Sequence, residues 1–217
     1  MKFLLRALVI VSLLLSASVS YGYEIQVTTL EKPYDLTVLT GSIDDKQVHL
    51  GELKGFPVMY QFELEVPTDL YLQVKQRFSG DTPIPFSLVL VKETSRGVTE
   101  IGRYSETNDT WEVVKNKSAG ITYWQSREFA ESLEPGTYRL EVTSPGNLGK
   151  YQLGLGRENS RNGYFEELRN ARTTQEFFCF SAFKMLTSNL VYYPLRIVLL
   201  LILLQRTWKY RKLITND

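Results

Sequence analysis

The sequence predicts a mainly β protein: an antiparallel, jelly-roll-like sandwich followed by a C-terminal transmembrane helix. Three observations carry this expectation. Across residues 23–160 apolar and polar residues alternate at period two, in short runs separated by Pro and Gly. Residues 177–204 are then largely apolar, with only Lys184 and Arg196 charged. Formal charge is also unevenly spread: 1–22 carry +2, 23–176 carry −6 and 177–217 carry +5, so the net +1 of the 217 residues describes none of the parts.

Residues 1–22 have the layout of a secretory signal peptide. Lys2 and Arg6 lie at a basic start, 4–15 form an apolar stretch, and Ser16, Ala17, Ser18 and Ser20 supply small residues. Cleavage is expected after Ser20 or Gly22. An uncleaved anchor is the alternative, but an apolar core of roughly a dozen residues is short of the ~20 that span a bilayer.

Strands follow in order. Residues 59–66 alternate until Pro67, 70–74 resume after a short turn, and 86–91 follow Pro83 and Pro85. Residues 137–142 and 151–155 flank Ser144-Pro145-Gly146, and shorter strands are expected at 47–50, 98–103 and 110–114. Residues 127–133 read as one helical turn, and 164–169 as a short polar helix. Thr173-Thr174-Gln175-Glu176 has capping-box spacing and predicts a helix start just before Phe177. At about 1.5 Å per residue, a continuous helix over 177–204 would exceed a bilayer core of about 30 Å. The expected division is therefore an interfacial helix at 177–184, within a membrane-proximal linker at 161–185, then a span at 186–205 and a tail at 206–217. Arg206, Lys209, Arg211 and Lys212 place that tail in the cytoplasm and the β domain outside, in the periplasm of a cell bounded by an inner membrane.

Gly51-Glu52-Leu53, Tyr60-Gln61-Phe62-Glu63-Leu64 and Leu70-Tyr71-Leu72-Gln73-Val74 resemble the opening strands of bacterial pre-peptidase C-terminal (PPC) domains. Leu133-Glu134-Pro135-Gly136-Thr137-Tyr138 resembles their L-x-P-G-T-Y strand, and Tyr151-Gln152-Leu153 the final one. The resemblance covers roughly 44–156, about half the chain. It implies a non-catalytic sandwich of the kind that accompanies secreted hydrolases and binds polymer surfaces, here with no peptidase segment beside it.

Little in the composition suggests chemistry. An apolar share of 43% excludes a disordered chain, and an acidic middle argues against nucleic acid. One His and one Cys exclude most metal sites and any disulfide framework, and no cofactor is expected. His49 alternates with Val48 and Leu50, which predicts a surface imidazole. Cys179 reads as a small filler, with lipidation or an intermolecular bridge as alternatives. Asn108-Asp109-Thr110 and Asn116-Lys117-Ser118 match the glycosylation spacing but read as turns. Asp44, Asp45 and Asp81 are candidate calcium ligands, with solvated turn acids as the alternative. Trp111, Tyr123 and Trp124 either stack on a sugar or pack the core. Arg196 sits near mid-span, where a guanidinium costs about 2.5–3.5 kcal/mol. It either snorkels to the headgroups or meets an acidic residue or anionic lipid on a membrane partner. The expected function is a non-catalytic, membrane-anchored extracytoplasmic binding or assembly module. The alternative is a module for carbohydrate or envelope polymer, with or without calcium.

Overall fold

The computed structural model describes residues 25–29, 32–105, 110–157 and 163–214, and side chains as far as Trp208. The signal segment and Asn108-Asp109 lie outside the described residues. Twelve strands are present among them: β1 Ile25–Thr28, β2 Leu36–Val38, β3 Gln47–Lys54, β4 Val58–Leu64, β5 Thr68–Arg77, β6 Ser87–Thr94, β7 Gly97–Ser105, β8 Glu112–Asn116, β9 Ile121–Gln125, β10 Phe129–Leu133, β11 Gly136–Thr143 and β12 Leu148–Leu155. The first sheet runs β1-β3-β12-β5-β9-β8, with β10 also paired to β5; the second runs β2-β4-β11-β6-β7. Together they form the expected sandwich.

The period-two runs explain the core. Alternate residues of β4, β5, β11 and β12 (Tyr60, Phe62, Leu70, Leu72, Val74, Tyr138, Leu140, Leu153 and Leu155 among them) meet between the sheets. The Pro-Gly-Thr-Tyr element has a physical cause. Gly136 sits at φ +148, where a side chain would be strained and would strike Lys92. That turn lets the Tyr138 hydroxyl donate back to the Glu134 carbonyl at 2.6 Å while its ring stacks on Phe62 at 5.6 Å.

Three expectations need correction. The sheets are not wholly antiparallel, because β1 pairs parallel to β3 and β2 parallel to β4 at the edges. Residues 127–133 are not helical: β9 and β10 both run along β5, with a break at Ser126 where its Oγ accepts the Val74 N–H at 2.9 Å. A serine hydroxyl replaces a ladder carbonyl, and pairing resumes. Thr173-Thr174-Gln175-Glu176 starts no helix. It lies in the last turns of α1, Tyr164–Phe177, which continues well past the six residues expected.

Helix α1 makes a third layer on the outer face of the first sheet. Ala171 and Phe178 cover Leu50, Ile121 and Tyr123, with Phe177, Phe180, Met185 and Leu190 packed around them. The helix stops in a Schellman-type end: Phe180 N–H donates to Gln175 O at 2.8 Å and Cys179 N–H to Glu176 O at 2.9 Å. Cys179 occupies the left-handed position at φ 60. So 177–184 is no interfacial helix but a corner, followed by a 3₁₀ segment, Ala182–Thr187. Helix α2, Asn189–Ile214, then leaves the domain. Its segment Asn189–Trp208 is long and apolar enough to cross a membrane, and only its first residues, Asn189 and Leu190, pack against the rest of the protein.

Candidate functional site

Trp111 and Tyr123 are core side chains, 6% and 1% exposed, Trp111 between the sheets and Tyr123 beneath α1. Trp124 is half-buried, its ring 4.9 Å from that of Phe78. Asp44, Asp45 and Asp81 are exposed, and among the described residues no three His, Cys, Asp or Glu side chains gather as a metal site.

The expectation for His49 is overturned, because it is fully buried. Strand β3 is covered on both faces: Leu50 points under α1, and Val48 lines a cavity of about 70 Å³ shared with α1. His49 points between the sheets. Its Nε2 lies 3.3 Å from Gln47 Oε1 and its ring 5.4 Å from that of Tyr60, whose hydroxyl is 3.0 Å from the Tyr151 hydroxyl. Burial lowers the imidazole to about 4 and raises both tyrosines. With an amide as its hydrogen-bond partner, this imidazole is not arranged as the base of a nucleophile.

Two features on the outer face of the first sheet carry more. The first is a seat for the apolar helix α2 at the β8–β9 turn. Asn116 Oδ1 closes that turn by accepting the Ala119 N–H at 3.0 Å, so this asparagine is a turn residue. Four consecutive carbonyls then accept bonds from the C-terminal segment. Lys117 O takes the Asn189 N–H at 3.0 Å, and Ser118 O takes the Ser188 hydroxyl. Ala119 O takes Gln175 Nε2 at 2.7 Å and Gly120 O takes Thr187 Oγ1 at 3.3 Å. Buried Ser188 also caps α2, its Oγ accepting the Leu190 N–H at 3.1 Å, and the Tyr164 hydroxyl donates to Leu190 O at 2.5 Å. Most of the segment read as a linker is therefore packed down.

The second is a hollow of about 180 Å³ beside α1, on the part of the sheet the helix leaves open. It is bounded by β3, β12 and β5 and by the chain after Leu155, with Lys46, Lys75 and Arg157 on its rim. Burial, then the neighbouring Lys46, lowers the Lys75 ammonium from its ordinary value. Sequence reasoning missed both features, since their members are far apart in the chain.

On α2, the Arg196 guanidinium lies 5.0 Å from the centre of the Tyr192 ring. It is seven residues beyond Asn189, about 10 Å into the span at about 1.5 Å per residue. The contact one turn back directs it toward the N-terminal end of the span.

No family model matches the chain, and no curated protein matches it. Among solved structures it is similar to the pre-peptidase C-terminal domain of a Bacillus anthracis collagenase, at 16% identity over 58% of this chain and 98% of that one, with a TM-score of 0.35. It is also similar to a Yersinia pseudotuberculosis-derived mitogen (10% identity, 55% and 91% covered, TM-score 0.37). A third is a periplasmic inhibitor of g-type lysozyme from Aeromonas hydrophila (10% identity, 61% and 98% covered, TM-score 0.35).

Proposed function

We propose that this chain is a non-catalytic, membrane-anchored binding module, holding its sandwich on the outer side of the cytoplasmic membrane and acting with a membrane or envelope partner. The observation that carries the reading is the seat. Three carbonyls bonded to residues 187–189, a fourth bonded to Gln175 of α1, and a buried N-cap fix the sandwich on the head of an apolar helix, whereas a domain that needs only tethering would do with a loose linker. The outward orientation is supported by the basic cluster after the span, Arg206, Lys209, Arg211 and Lys212, and by the signal-like start. Arg196 is the candidate contact to an acidic side chain or anionic lipid of the partner.

Protease added to spheroplasts tests the topology: digestion of the sandwich with survival of α2 is expected, and full protection would refute it. Crosslinking in native membranes, followed by mass spectrometry, tests the partner. A specific membrane or envelope protein is expected with the wild type and reduced with Arg196→Leu. Unchanged capture would remove Arg196 from the interface. The hollow on the first sheet favours a second reading, in which the module binds an envelope polymer.

A further inference from the structure

Gly154 forms the floor of the hollow, opposite Val48 of β3 and Gln73 of β5. A side chain there would meet nothing closer than the Gln73 carbonyl at 3.6 Å, so the depression is a missing side chain in a regular strand. Among the described residues, the charged groups that line it are Lys46, Lys75, Arg157 and Glu128. Glu128 pairs with Arg157, whose guanidinium lies 4.1 Å from the centre of the Tyr71 ring. No described carboxylate forms an ion pair with half-buried Lys75, although residues 23–176 carry a net −6. A half-buried ammonium with no carboxylate beside it is stabilised by a bound anion.

The remaining polar groups are the amides of Gln73 and Gln152, which both donate and accept. Strand β12 is paired on both sides, so its backbone is taken and recognition falls to side chains. The hollow, of about 180 Å³, is open to solvent and has room for several waters.

We propose that this hollow binds a carboxylate-bearing sugar unit of an acidic polysaccharide, with Lys75 taking the carboxylate and Gln73 and Gln152 the hydroxyls. An acidic peptide fits less well, because its backbone pairs at a sheet edge and finds no free ladder on this face. The proposal deepens the binding-module reading and rests on it only for the side of the membrane that the hollow faces.

Full-length protein in detergent micelles, titrated calorimetrically with trigalacturonate, tests it against neutral galactotriose, triglutamate and inorganic phosphate. Expected is binding of trigalacturonate at least about tenfold tighter than any comparator, weakened by added salt. Gly154→Val fills the hollow without changing charge, and Lys75→Met removes charge without filling it. Each lowers the affinity about tenfold or more, and each is scored only if its thermal unfolding matches wild type, so either suffices. No trigalacturonate binding, equal binding of triglutamate or phosphate, or undiminished binding by a folded variant overturns the proposal. None of these outcomes bears on topology, which the protease experiment decides separately.

Discussion

His49 shows how a single residue can mislead when its strand is read one face at a time. Apolar Val48 and Leu50 imply a buried face, and the alternation then assigns the imidazole to water. That holds only for a sheet solvated on one side, and α1 covers the other. The burial has a pH consequence. The folded imidazole titrates near 4 against 6.5 for the ordinary group, so between those values the unfolded chain binds more protons. Stability is therefore full above about pH 6.5 and falls as pH drops toward 4, by up to about 3 kcal/mol. Unfolding of the solubilised protein between pH 4 and 7 checks this, and the slope is expected to shrink in His49→Gln. Cys179 offers a second test. It holds a left-handed conformation that glycine adopts without a side-chain clash, so Cys179→Gly is expected to stabilise the protein by about 1 kcal/mol. An unchanged or lowered midpoint in chemical denaturation would contradict it.

Elements with local causes were legible from the chain alone. The Pro-bounded runs became β4, β5 and β6, and the Pro-Gly-Thr-Tyr turn became the start of β11. Elements set by distant partners were not. Ser126 replaces a ladder carbonyl for Val74 and pairing resumes at Phe129–Leu133, yet nothing local to 127–133 announces a partner on β5. Likewise Thr173-Thr174-Gln175-Glu176 carries the residue types of a helix start but serves a helix end: fully buried Gln175 reaches Ala119, 56 positions away in sequence. Gln175→Ala would leave that carbonyl unpaired and open a cavity, at an expected cost of about 2–4 kcal/mol. The loss should be local. Amide exchange in the β8–β9 turn and in the last turns of α1 is expected to accelerate, with β11 and β12 unchanged.

At the scale of the whole molecule, the division of charge pointed to export and anchoring, and the apolar helix is where the sequence put it, within a few residues. The candidate site was less legible. Lys46, Lys75 and Arg157 are scattered along the chain, and Gly154 attracts notice only as part of an unremarkable Gly-Leu-Gly. Only the sheet register brings them together. Removal of α2 from Tyr193 onward keeps the seat residues 187–190, so the sandwich is expected to stay folded and to move from the alkali-resistant membrane fraction to the soluble one. Retention in the membrane would place the anchor elsewhere. The seat also sets a direction. Because Ser188 and Asn189 are bonded to the sandwich and begin α2, the helix cannot turn about its own axis independently of the domain. The bearing of Arg196 about the helix axis is thereby tied to the bearing of the hollow on the sandwich. One alanine inserted after Val191 would leave every seat bond in place and rotate everything beyond by about 100°, aiming Arg196 at a different neighbour while the sandwich still faced its own.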